Sequence, residues 1–175
     1  MTLRTGVVNT ATPDGLSGYL FATMATQQAA NIAANDHVKF DTVNFNDGPI
    51  SLDTTTAYSN ALGAASVGRV TLKGSPNGGL SYKLSFNAGY CLFSGNTGVI
   101  DFQFYDATAG AFIAGGTASV FNAADAAFDG ASGSCEAFFT PLADSLVEVR
   151  IVAVTALTRI GTTGSRFPTL SIQTV

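Results

Sequence analysis

The 175-residue sequence predicts an all-β protein, a two-sheet antiparallel sandwich or jelly roll. Three observations predict it. Eight or more short segments alternate apolar and polar residues, as strands do because successive side chains point to opposite faces. Turn signals built from Gly, Pro, Asn and Asp recur every eight to fifteen residues. No stretch carries the stripe of large apolar residues that a core helix needs.

Residues 1–17 read as an extended N-terminal arm, because Thr, Asn, Pro13, Asp14 and Gly15 break any pattern. Such a terminus is ordered only when tied down, so an anchoring arm and a frayed tail both fit. Residues 18–175 read as one domain, long enough to bury roughly 70% of the unfolded surface without a metal or disulfide staple. Gly18–Met24 is the first strand. Thr26–Asn35 has helical propensity but few large apolar residues, and is expected to be a loop. His37–Asn46 is a strand, Asn46–Pro49 a turn, and Ile50–Tyr58 an extended, Thr-rich run.

Gly68–Lys73 alternates, with Val70 and Leu72 inward, and Ser75–Gly79 is a loop. Leu80–Phe86 places Leu80, Tyr82, Leu84 and Phe86 on one face, and Tyr90–Phe93 continues or restarts that strand. Val99–Asp106 buries Ile100, Phe102 and Phe104. Ala111–Phe121 is a further strand, Asn122–Gly133 a loop, and Ser134–Thr140 a strand ending at Pro141. Ser145–Ile160 is the longest alternating run. Its first half sets Glu148 and Arg150 against valines. Its second half is apolar on both faces, which predicts cover on both sides there. Arg166–Val175 closes the chain with Leu170 and Ile172 inward.

Only 11% of residues are charged, so the surface must be built from Ser, Thr, Asn, Gln, Gly and Ala. Such a surface suits a subunit packed in an assembly, and equally a neutral Thr/Ser-faced β protein. With a net charge of −4 and eight scattered Lys and Arg, no basic stripe points to nucleic acid and no polybasic patch to a membrane. No apolar h-region opens the chain, and no apolar run approaches the ~20 residues that span a bilayer. Cys91 and Cys135 make no disulfide framework and read as two buried reduced thiols.

Catalytic candidates are few. The single histidine, His37, follows Asp36, but neighbours in a strand point to opposite faces, so Asp36 is badly placed to orient it. Asn44, Asn46 and Asp47, and separately Asp125 and Asp129, suit a cation, although turn formation explains both groups. There is no Trp for a carbohydrate platform. Tyr58, Tyr90 and Tyr105 fit that role less well than cross-strand packing. The expectation is therefore no enzyme, no catalytic residues, no cofactor-binding residues and no metal.

The order HVKFDTVNFN, GRVTLKGSPNGGLSYKLSF, GVIDFQFYDATAGAFI, the Thr140–Pro141 step and LVEVRIVAVTALTRI resembles the C1q/TNF-like jelly roll. More narrowly it resembles the version found in tailed bacteriophages, in capsid decoration proteins and fibre knobs. The likeness runs from about Gly18 to Val175. No collagen tract, signal peptide or N-glycosylation acceptor is seen, which favours the phage version over animal C1q-like proteins.

The resemblance implies a homotrimer with two sheets per subunit. It groups Tyr19–Met24, Leu80–Phe86, Ser134–Thr140 and Arg166–Val175 in one sheet. It groups Gly68–Lys73, Val99–Asp106, Ala111–Phe121 and Leu146–Val154 in the other. It also suggests that Asp101 and Arg150 meet across adjacent strands. The implied function is that of a virion structural protein made in the host cytoplasm: a capsid decoration, or cement, protein on the outer capsid surface. Its partner would be the major capsid protein, with residues 1–17 as the candidate capsid contact. The alternative is a receptor- or glycan-binding knob of a phage head or tail fibre.

Overall fold

The structure, a computed structural model, describes residues 17–26, 28–29, 32–56, 58–59, 65–93, 98–122, 133–155, 157–161 and 167–175. Its strands, in chain order, are β1 (Tyr19–Thr23), β2 (Gln28–Ala29), β3 (Thr42–Asp47), β4 (Ile50–Asp53), β5 (Tyr58–Ser59), β6 (Ala65–Ser66), β7 (Arg69–Leu72) and β8 (Tyr82–Asn87). They continue with β9 (Cys91–Phe93), β10 (Gly98–Asp106), β11 (Ala111–Phe112), β12 (Ala118–Asn122), β13 (Ser134–Phe139), β14 (Ser145–Thr155), β15 (Leu157–Ile160) and β16 (Thr169–Thr174). No helix occurs among the described residues.

Two antiparallel sheets form the body. Sheet one runs β13-β8-β16-β1-β3 and sheet two runs β11-β10-β14-β7-β4, with β12 also on β10. The grouping that the resemblance implies is therefore the observed one, with β3 added to sheet one and β4 to sheet two. Residues 1–16 of the expected arm, and Arg166 of the expected closing strand, lie outside the described residues. A small sheet β2-β15-β9 and the pair β5-β6 complete the structure.

Alternation places the core between the sheets. Leu20 and Ala22 of β1, Tyr82, Leu84 and Phe86 of β8, and Leu170 and Ile172 of β16 face Val70, Leu72, Ile100, Phe102, Phe104, Val149 and Ile151, all buried. Phe86 bridges the layers, 5.1 Å from Phe102 and edge-on to Phe40 at 6.2 Å. Each such side chain contributes about 1.5–3 kcal/mol by burial. The Tyr82 hydroxyl, buried with its ring, donates to Lys73 O at 2.7 Å, which satisfies the one polar atom it carries inward.

Three predicted strands are divided in the structure. Within His37–Asn46, β3 begins only at Thr42. Residues 35–38 instead lie along β14: Val38 N donates to Val149 O at 2.8 Å and His37 bridges Arg150. They take up the edge of β14 beyond Val147, where its pairing with β7 ends. Ala111–Phe121 splits into β11 and β12 around Gly115, whose backbone bridges Ala137. A Cβ on Gly115 would lie 2.6 Å from the Ala137 Cβ, so only glycine allows this approach.

Ser145–Ile160 divides into β14 and β15, which belong to different sheets. Its expected cover is also reversed. Glu148, in the charged half, is buried, whereas Val152, in the apolar half, is exposed. The β10–β14 register shifts between Asp101 and Phe102, which leaves Val152 without a directly opposed residue. The predicted loop at 26–35 contains the short β2, and Asn35 takes a positive φ of 73°. Ile50–Tyr58 is likewise interrupted after Asp53, whose Oδ1 accepts from Thr55 N and Thr56 N, each at 2.9 Å.

The ends of the described body lie together. Thr174 N donates to Gly18 O and Gly18 N to the Thr174 hydroxyl, both at 3.0 Å, so β1 and β16 begin and end side by side.

Candidate functional site

Sequence reasoning assigned no catalytic side chain, and several of the residues it weighed hold the fold together in the structure. His37 is 3% exposed, so its ring lies out of reach of a substrate in solvent. The Asp36 carboxylate, also buried, accepts from Ala33 N at 2.8 Å and closes the turn before His37. Gln28 holds the segment from the other side: its Nε2 donates to His37 O at 3.1 Å and its Oε1 accepts from Lys39 N at 2.9 Å.

At the first cation candidate, Asn44 Nδ2 donates to the Thr23 hydroxyl at 3.0 Å, and Asp47 Oδ1 accepts from Gly48 N at 2.7 Å. Gly48 has φ +73°, so Asp47 serves the turn. No group of three or more His, Cys, Asp or Glu suited to a metal occurs among the described residues. Asp125, Asp129 and the Tyr58 side chain lie outside them. Both cysteines are free and buried. Burial pushes the Cys91 thiol up to about 12 and the Cys135 thiol up to about 11, so neither is a nucleophile near neutral pH.

The arrangement that sequence reasoning missed is an ion cluster on the outer side of sheet two. Glu148 accepts from Arg69 Nε at 2.7 Å through Oε2 and from Arg150 Nε at 2.9 Å through Oε1. Its side chain is 1% exposed. Arg150 lies over the Tyr105 ring, 3.4 Å from its centre, and Tyr105 meets Phe112 edge-on at 5.1 Å. The expected Asp101–Arg150 pair is replaced by this arrangement. The strands are adjacent, but the register sets Gln103 opposite Arg150 and Ala153 opposite Asp101. Glu-x-Arg on one strand face was visible in sequence. The second arginine, on β7, was not linked to it by any local pattern. Both oxygens of the Glu148 carboxylate are taken up by guanidiniums, and its role is to lock β7 to β14.

Sheet one presents a low-charge outer face: Ser85, Asn87, Ser134, Glu136, Thr169 and Ser171 line a shallow trough of about 290 Å³. Lys83 pairs with Glu136 at 2.8 Å beside it and, with the Ser85 hydroxyl, holds that carboxyl below its ordinary range. Towards β3 the same face turns aromatic, with Phe45 opposite Phe21 and 5.7 Å from the Tyr19 ring. Exposed phenylalanines also flank the edge where Gly115 joins the two sheets. Phe138 stands on β13, Phe112 on β11 and Phe121 on β12.

No family model matches the sequence, and no curated protein does. Solved structures match the fold. A crystal structure of murine APRIL at pH 5.0 superposes with a TM-score of 0.55 over 91% of this chain and 99% of its own, at 8% identity. A second, at pH 8.0, gives 0.54 over the same shares at 10% identity. The fold is therefore the TNF-like jelly roll, and at such identity the likeness is one of fold. No helix among the described residues is long and apolar enough to cross a membrane.

Proposed function

We propose that this chain is a non-enzymatic virion protein that forms a homotrimer and decorates the outer surface of a capsid, stabilising the shell by added interface. The observation that carries the assembly is the pairing of two unlike exposed apolar areas on one chain. One is the Phe112, Phe121 and Phe138 edge, and the other is the exposed Phe45 with the half-buried Tyr19 and Phe21 beside it on sheet one. Large exposed apolar side chains gathered in this way mark interaction surfaces. Two different patches that meet between copies make a heterologous contact, which closes into a ring when the rotation permits. The low-charge Ser/Thr face between them keeps the desolvation cost of such a contact small.

The capsid role rests on the phage-type sequence phrases and on the scarcity of charge, and the partner is the major capsid protein. A stable seat needs on the order of 800 Å² per partner. Residues 1–17 are the proposed added contact, since a segment that orders on binding contributes area at an entropic cost. Quantitative mass spectrometry of purified particles tests the role. Hundreds of copies in a fixed ratio to the major capsid protein are expected. Absence from particles would remove the virion reading.

The polar trough on sheet one supports a second reading, a fibre-type knob that binds a host glycan, because five small polar side chains and the Glu136 carboxylate line it. A handful of copies per particle together with a specific hit on a glycan array would favour that reading.

A further inference from the structure

The connection between β7 and β8 has a fixed base and a lightly held tip. At the base, Lys73 N donates to Pro49 O and Ser75 N to Pro141 O, both at 3.0 Å. Gly74 N donates to Asp144 Oδ1 at 3.1 Å, and the Tyr82 hydroxyl holds Lys73 O at 2.7 Å. Leu80, which is buried, fixes the other end. Between these anchors, Ser75-Pro76-Asn77-Gly78 forms a β-turn, closed by Gly78 N donating to Ser75 O at 2.9 Å. Pro76 and Asn77 are exposed. Gly78 has φ +67°, and a Cβ there would approach only Thr140 Cγ2, at 3.9 Å, so the tip has room to rotate. A surface turn closed by one backbone bond opens at far lower free energy than the sheets beneath it.

Asn77 is the only asparagine in the chain that is followed by glycine. An asparagine side chain and the next backbone nitrogen can close a five-membered ring. A Cβ on the following residue crowds that closure, and glycine has none. In the closed turn the Gly78 N–H is committed to Ser75 O, so the ring forms only when the tip opens. Opening frees that nitrogen and leaves the base in place. Other asparagines lack these conditions. Asn44 lies within β3, donates through Nδ2 to the Thr23 hydroxyl at 3.0 Å, and precedes Phe45. Asn87 ends β8, accepts from Gly89 N at 2.8 Å through Oδ1, and precedes Ala88.

We propose that Asn77 is a site of spontaneous deamidation in the folded protein. The Gly78 nitrogen gives its proton to base and attacks Asn77 Cγ. The new N–Cγ bond forms, the Cγ–amide bond breaks, and ammonia leaves to give a succinimide. Water then attacks one of the two ring carbonyls. Attack at Cγ breaks the N–Cγ bond and gives aspartate. Attack at the backbone carbonyl breaks the original peptide bond and gives isoaspartate, with the main chain routed through Cβ and Cγ. One water is consumed and one ammonia is released, with no change of oxidation state. Each event makes the net charge of −4 more negative by one unit. The isoaspartyl product also adds a backbone atom inside the Ser75–Gly78 ring, so the original turn does not reclose.

The test incubates the full-length protein in mildly alkaline buffer, folded and in urea. Digestion with an acid protease then maps the asparagines without further conversion. In the folded protein, Asn77 is expected to convert about tenfold or more faster than Asn44 and Asn87, to a mixture of aspartate and isoaspartate. The rate should rise with pH, because the nitrogen attacks as its anion. It should lie within about tenfold of the rate in urea, because the tip opens easily. Ion exchange should show an acidic form growing in step, and that growth should be lost in Asn77→Gln, whose side chain would have to close a six-membered ring. Asn77 that stays intact in the folded protein but converts in urea would overturn the proposal, since the turn then remains closed. Equal conversion at Asn44 and Asn87 would overturn it as well. The wild-type map answers the question even if Asn77→Gln fails to fold.

Discussion

Glu148 and Arg150 lie two residues apart on one strand face and are joined by a hydrogen bond of 2.9 Å from Arg150 Nε to Glu148 Oε1. With Arg69 on the neighbouring strand, they form a cluster in which one buried carboxylate serves two guanidiniums whose side chains are 23% and 18% exposed. Removing the carboxylate's charge weakens charge-assisted hydrogen bonds of about 1.5–3 kcal/mol, part of which the guanidiniums regain from solvent. Glu148→Gln is therefore expected to lower unfolding stability by up to that amount. Urea denaturation measures it, and a loss under about 1 kcal/mol would mean that the cluster is solvated in solution.

The sheets are joined at one edge through Gly115 and Ala137. A side chain at position 115 would meet the Ala137 Cβ at 2.6 Å and Glu136 O at 2.8 Å. Gly115→Ala is expected to cost about 1–3 kcal/mol, the range of overpacking. Gly115→Val should cost more. Thermal melts of the two variants against wild type check both the sign and the order.

Burial raises both thiols above their ordinary 9.0, Cys91 to about 12 and Cys135 to about 11. Above pH 9 the unfolded chain has lost protons that the folded chain keeps, so stability must fall as pH rises. The contribution is fully present below pH 9 and is lost through the window from 9 to about 11–12. Tyr82, raised by burial and by Asp144, adds the same trend from about pH 10 upwards. Denaturation midpoints should decline from pH 8 to 10.5, and less steeply in Cys91→Ala. Intact mass should not change with reductant, since both thiols are free.

Phe138 is 67% exposed at the joined edge and contributes little to its own sandwich. In the trimer reading it is buried between copies. Phe138→Asp is then expected to leave a folded monomer, visible by light scattering, with melting little changed at low concentration. A variant that still runs as a trimer would remove Phe138 from the interface.

Local pattern conveyed much of this fold. Val70 and Leu72, or Ile100, Phe102 and Phe104, declare their inward face by alternation alone, and every one of them is buried. What alternation does not convey is which strand lies alongside, and that is where expectation and structure part. Residues 37–46 look continuous, yet the first few complete the edge of β14 and the rest join β1. Glu148 looks like a solvated residue until Arg69, 79 positions away, is placed beside it. Sheet membership was recovered from family likeness rather than from the residues themselves. The exposed apolar side chains were hardly legible, because Phe121 and Phe138 resemble core residues until the fold shows them facing out.

The side-by-side ends of β1 and β16 bear on mechanics. A load applied between Ser17 and Val175 pulls two antiparallel neighbours apart from one end, so their hydrogen bonds open one after another, like a zip. The same load spread over the sandwich faces would have to shear whole strands at once. A protein of this design tolerates pressure borne through its surfaces far better than tension borne through its chain.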